Sequence, residues 1–157
     1  MTGTAGFNRL VVFTLDQRRF ALTLSSVETI LRSVEVTPLP GGPEIVLGVI
    51  NMRGRILPVF NVRMRFGLPG REIGPSDQFL IANTSHRSVA LAIDVAHEVL
   101  EHSTESVIAA ERVVPGMEYV AGIVRLNEGL VFIHDLDTFL SLDEDKTLSK
   151  AMSSGTS

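Results

Sequence analysis

The chain has 157 residues, 45% apolar and 20% charged, with a formal net charge of −4 and no cysteine. That suits one packed domain or two very small ones, and it excludes wholesale disorder, a disulfide framework and a thiolate metal site. The acidic balance argues against sequence-independent phosphate binding, the opening "MTGTAGFN" has neither a basic nor an apolar leader region, and no apolar run approaches the roughly 18 residues of a membrane helix, so a cytoplasmic protein with no membrane insertion is expected.

In chain order, residues 1–6 read as a tail. The apolar runs 9–15 and 20–24 flank "DQRR" and predict a β-hairpin. "SSVETILRS" (25–33) begins with a serine cap candidate and sets Val27, Ile30 and Leu31 on one helical face, which predicts a short helix. Segments 46–51 and 55–61 predict a second hairpin, and "NVRMRFGLP" a short helix stopped at Gly67. The Gly/Pro-rich stretch 67–77 is a loop and a candidate boundary. Two further hairpins are predicted, 78–84 with 88–93 around "SHR", and 119–126 with 130–136 around "NEG". "HDLDTFLSL" places Leu136, Phe139 and Leu140 on one helical face, with Asp135 as a cap and Asp135 and Asp137 favouring its N-terminal end. Residues 143–157 read as a polar, frayed tail.

The chain also repeats itself. An offset of 69 residues lays Leu10, Val11 and Val12 on Phe79, Leu80 and Ile81, and the run Phe20–Leu24 on Val89–Ile93. An offset of 74 lays Gly48 and Val49 on Gly122 and Ile123, and Val59 on Ile133. The order is preserved, so two related all-β halves are expected, about 7–70 and 75–142, within a unit spanning 7–142 that allows strands to be shared at their junction. Each half is too small to bury much surface alone, so the two should pack together.

The stretch "GVINMRGRILPVFNV" (48–62) breaks two apolar runs with Asn51-Met52-Arg53-Gly54. This predicts a tight turn with Gly54 supplying a positive φ and Arg53 at the tip. Pro58 lacks the N–H that a ladder needs, which predicts an edge strand or a bulge. A solvated turn and a docking edge for another chain both fit that spacing.

The same residues resemble the signature of the CheW family, the coupling proteins of bacterial chemotaxis, where G-V-x-N-x-R-G-x-I-x-P-V-x-D-L-R is typical. The opening "RLVVFTLDQRRFALTLSSVETI" is similar to the family's first hairpin and its V-x-E-I element, and "YVAGIVRLNEGLVFIHDLDTFLS" to its closing strand pair. The resemblance spans about residues 7–142. It implies two small five-stranded SH3-like barrels packed as one domain, no catalysis and no cofactor. It further implies an adaptor, placed at membrane-associated receptor arrays, that links the cytoplasmic tip of chemoreceptors to the regulatory domain of the chemotaxis histidine kinase. Carried over by position, Val27, Glu28, Thr29, Ile30 and Arg53 become receptor-binding candidates, and Gly48, Asn51, Gly54 and Pro58 become kinase- or receptor-facing motif residues. The chain departs from the pattern at Thr29, where the family has Glu, with Glu28 just before it as the nearest acidic partner for Arg53. It departs again at Asn61, in place of Asp beside Arg63.

Other chemistry is sparse. His86, His97, His102 and His134 have no metal-ligand spacing and read as solvated, no phosphate loop or nucleophile elbow is present, and "HEVLEH" is strand-like. Arg53, Arg55, Arg63 and Arg65 form a local basic cluster, read as a solvated face before a nucleic-acid site. A detached regulatory module of the kinase and a small-ligand-binding barrel or unrecognised enzyme are the competing functions. The second of these needs a pocket of convergent polar groups.

Overall fold

All four hairpins form, and what the sequence leaves open is how they are shared between two sheets. The computed structural model describes residues 7–103, 107–109, 120–126 and 129–155; the expected tail at 1–6 and the turn at 127–128 lie outside them. The order is β1 (Phe7–Leu15), β2 (Arg18–Thr23), a 3-10 turn (Leu24–Ser26), β3 (Val27–Arg32), β4 (Val46–Met52), β5 (Arg55–Phe60), α1 (Val62–Arg65), β6 (Gln78–Asn83), β7 (Ser88–Ile93), β8 (Val95–Ser103), β9 (Val107–Ala109), β10 (Val120–Leu126), β11 (Gly129–His134) and α2 (Leu142–Gly155). The all-β class is as expected. The sheets, however, have six and five strands, in the orders β8-β1-β2-β11-β10-β9 and β3-β6-β7-β5-β4.

Each sheet takes strands from both halves of the sequence. The hairpin β1–β2 pairs with the later strands through a parallel ladder, Phe20 opposite Phe132 and Ala21 opposite Ile133. The hairpin β6–β7 pairs with the earlier strands in the same way, Val59 opposite Ala90 and Phe60 opposite Leu91. The two offsets found in the sequence reproduce the registers. Val12 faces Ala21 as Ile81 faces Ala90. The shift between Val46–Phe60 and Gly48–Val59 recurs between Val120–His134 and Gly122–Ile133.

This exchange explains why the four runs at 10–15, 20–24, 79–82 and 89–93 are nearly continuous in apolar residues: a strand buried on both faces does not alternate. Leu10, Val12, Ala21, Val124, Val131 and Ile133 form the core of sheet one. Their counterparts Phe79, Ile81, Ala90, Ile50, Leu57 and Val59 form the core of sheet two. The opposite faces of the same strands, with Val11, Phe13, Phe20 and Leu22 from one hairpin and Leu80, Ala82, Val89 and Leu91 from the other, meet in a third, larger core between the sheets.

Two sequence expectations fail, and that for Pro58 fails in one of its two forms. Residues 27–32 are a strand rather than a helix: the β-branched Val27, Thr29 and Ile30 carry little helical preference, and β6 offers a complete ladder from Ala82 to Gln78. Pro58 lies in β5, between β7 and β4 and buried, so it marks no edge; the other alternative, a bulge, lies beside it, where β4 shifts register between Val46 and Gly48 opposite Phe60 and Val59. The parallel ladder with β7 begins one residue later, at Val59, and asks no N–H of the proline. The helix expected over 134–142 is a run of turns, opened by Asp137 N–H donating to Asp135 Oδ1.

The segment read as a frayed tail is helix α2. It starts with a capping box: Ser141 Oγ accepts from Glu144 N–H and Glu144 Oε1 accepts from Ser141 N–H. Leu148 is buried in the inter-sheet core, Met152 packs against it, and Ala151 is buried as well. Arg65 is ion-paired to Glu144 and Arg87 to Asp145. A cavity-forming change should therefore be felt by the whole fold. Leu148→Ala is expected to lower unfolding free energy by about 2–4 kcal/mol, measured by urea denaturation; an effect under about 0.5 kcal/mol would mean that α2 is not docked.

Candidate docking surface at the Arg53 hairpin

β4 and β5 meet in a two-residue turn with Met52 opposite Arg55. Both central residues have positive φ, Arg53 at +53° and Gly54 at +87°, where the sequence assigned that role to glycine alone. This is a type I′ turn, whose twist matches the strands it joins. Asn51 closes it by accepting the Gly54 N–H at Oδ1, 2.8 Å away. A non-glycine residue in this region costs about 1 kcal/mol, so Arg53 is held in a conformation that it would not choose. Its side chain is exposed and makes no hydrogen bond or ion pair with the described residues.

Gly48, at the other end of β4, serves the fold. Thr37 bridges to Val49 along the outer edge of this strand. A Cβ on Gly48 would lie 2.3 Å from the Thr37 carbonyl oxygen. Gly48 and Pro58, two of the motif residues, are buried. Val27 is half-buried against the inter-sheet core. Among the candidates, Glu28, Thr29, Ile30, Asn51, Arg53 and Gly54 reach the surface.

The basic cluster is dispersed. Arg55 donates to both carboxylate oxygens of Glu28, at 2.6 and 3.3 Å, so the acidic residue next to Thr29 pairs with Arg55 and not with Arg53. This pair ties β3 to the hairpin and raises the Arg55 pKa through the Glu28 hydrogen bond. Arg65 pairs with Glu144 and lies over the Phe139 ring. Arg63 is buried, its side chain 9% exposed, and donates to Asp16 and Asp94, each at 2.6 Å, and to the Pro69 carbonyl oxygen. Burial opposes its charge, but the bonds to Asp94 and Asp16 outweigh that and raise its pKa. Arg71 extends the network with a bidentate contact to Asp77 and a bond to Asp94. Asp77 is held below the usual carboxylate range, chiefly by Arg71.

This network also secures the strained β1–β2 turn, where Asp16 and Gln17 both have positive φ. Asp16 N–H donates to Asp94 Oδ2, and Arg63 clamps the Asp16 carboxylate. Asn61 caps α1 by accepting from Met64 N–H.

A cavity of about 90 Å³ lies between the β6–β7 turn and the start of α2, lined by Phe60, Arg87, Leu136 and Leu142 among others. That is well below the roughly 300–1,000 Å³ of a ligand pocket. No helix among the described residues is long and apolar enough to cross a membrane. The family model of the CheW-like domain matches residues 9–144. The chain belongs to the CheW-like domain family. Chemotaxis protein CheW of Treponema pallidum is 28% identical over 147 residues, covering 90% of this chain and 86% of that protein. Chemotaxis protein CheW of Bacillus subtilis is 27% identical over 141 residues, covering 88% and 90%. The crystal structure of scaffolding protein TtCheW from Thermoanaerobacter tengcongensis superposes with a TM-score of 0.79 at 26% identity, covering 87% of this chain and 94% of that one.

In this CheW-like domain His134 is a core residue rather than a solvated one. It occupies the repeat position of Phe60, packs edge-on against Phe66 and Phe139, and neither ring nitrogen has a hydrogen-bond partner among the described residues. Burial, aided by Arg65, pushes its pKa down to about 3 from an ordinary 6.5. The fold therefore holds the neutral ring, while the unfolded chain takes up a proton as pH falls below 6.5. Stability should be fully present above pH 6.5 and decline below it, by roughly 1–2 kcal/mol by pH 5. Denaturant titrations of wild type and His134→Phe at pH 7.5 and 5 test this: the variant should lose that part of the slope, and identical slopes would contradict it.

Proposed function

We propose that this protein is a non-catalytic coupling adaptor of bacterial chemotaxis signalling, joining the cytoplasmic tip of chemoreceptors to the regulatory domain of the chemotaxis histidine kinase. It would work in the cytoplasm, at membrane-associated receptor arrays. The observation that carries this reading is Arg53, an exposed arginine without a partner among the described residues, its backbone left-handed at the tip of a tight hairpin, within a chain that belongs to the CheW-like family along almost its whole length. A chain reversal alone would favour Asn, Asp or Gly there. A cation presented this way is suited to a carboxylate on another protein, by a bidentate hydrogen bond. The exposed residues Glu28, Thr29 and Ile30 on β3, linked to the same hairpin by Arg55, extend the surface with a small apolar contact at Ile30, 37% exposed.

Two measurements on Arg53→Ala test the reading. Thermal stability should change little, since an exposed side chain without a partner contributes less than about 1 kcal/mol. Affinity for a receptor-tip fragment should fall by about 2 kcal/mol, roughly thirtyfold, and receptor-dependent stimulation of kinase autophosphorylation should fall with it. Collapse of stability with unchanged affinity per folded molecule would make Arg53 a structural residue and overturn the assignment.

A further inference from the structure

The open end of the sheet-two core is closed by a polar chain that the family signature does not contain. Leu57, Ala90 and Ile81 point into this core, so Arg55, Ser88 and Asn83, each two residues further along its strand, lie on the same face at its end. They are bonded in sequence. Arg55 Nη2 donates to Ser88 Oγ at 2.8 Å, Ser88 Oγ donates to Asn83 Oδ1 at 2.6 Å, and Arg55 Nη1 donates to Glu28 Oε2 at 2.6 Å. One guanidinium thus links β5 to β3, β7 and, through Ser88, β6. β3 and β5 are separated by β6 and β7 in the sheet, so a direct contact between Glu28 and Arg55 also fixes the curl of the sheet at this end.

The related end of sheet one is built differently. The repeat places Thr14 at the position of Asn83, His97 at that of Glu28 and Gly129 at that of Arg55. Thr14 Oγ1 and His97 Nε2 lie 3.3 Å apart, and Gly129 offers no side chain where Arg55 stands in the other sheet.

We infer that Arg55 is a positioning residue for partner docking: by locking β3, β5 and β7 together at the root of the hairpin, it holds Arg53 at a set height and angle for a carboxylate-bearing protein surface. The inference rests on the adaptor reading of Arg53 given above. Arg55 itself is engaged with Glu28 and Ser88, so its effect on binding is carried by the hairpin and not by contact with the partner. Preorganisation of this kind lowers the entropy lost on association.

The test uses the full chain, with a receptor-tip fragment as the probe. Arg55→Ala should leave the melting temperature within about 2 °C and weaken binding by about three- to tenfold. In the Arg53→Ala background the same change should add nothing, because the residue it positions is gone. Additive losses would show Arg55 meeting the partner directly and would overturn the inference. If Arg53→Ala weakens binding and Arg55→Ala does not, the inference alone is wrong; if Arg53→Ala leaves affinity unchanged, the reading of the hairpin falls and the inference falls with it.

Discussion

Burial of β1, β2, β6 and β7 on both faces is the constraint from which the rest of this structure follows. One face of each hairpin fills the core of the sheet to which it is bonded, and the other fills the core between the sheets. Each hairpin is bonded through a parallel ladder to strands from the other half of the sequence. Neither half can therefore complete a sheet alone, and the two are joined by main-chain hydrogen bonds as well as by apolar packing. A chain of this size built from two independent small barrels would be marginal. Exchange of the hairpins turns it into one cooperative unit.

A well-defined platform suits an adaptor, whose affinity is carried by a few well-placed side chains. The elements at the ends of the strands serve that placement. Gly48 lets Thr37 approach the edge of β4, which leaves that edge partly covered. Asn51 closes the hairpin turn, and the buried Arg63 draws together the β1–β2 turn, the end of β7 and the loop at Pro69. Against that background the freedom of Arg53 is informative. Arg55, Arg63 and Arg65 beside it are all engaged within the fold, which leaves Arg53 available to another molecule.

The sequence made the fold largely legible, because the hairpins announce themselves by composition and the repeat predicts which strands correspond. It did not reveal the exchange of hairpins: continuous apolar runs say that both faces are buried but not against what. Residues 25–33 misled because Val27, Ile30 and Leu31 match a helical face, while the decision lay with the ladder offered by β6, distant in sequence. α2 was missed although its signal was present, the pair Ser141 and Glu144 three residues apart. In the candidate site, Arg53 and Gly54 were correctly placed in the turn. The partner of Glu28 was not, since Arg55 reaches it across two intervening strands. The burial of Arg63 depends on Asp16 and Asp94, 47 and 31 residues away, and no local pattern marks it. The burial of His134 was within reach, because the repeat sets it where the other half has Phe60.

The central claim is that partner binding is focused on the Arg53 hairpin and the adjoining β3 strand of a platform that does not itself rearrange. Amide hydrogen exchange of the full chain, alone and saturated with a receptor-tip fragment, tests it most directly. The account predicts slowed exchange at residues 27–32 and 51–56, with the doubly buried strands equally protected in both states. Complex formation with protection elsewhere and none at those two segments would contradict it.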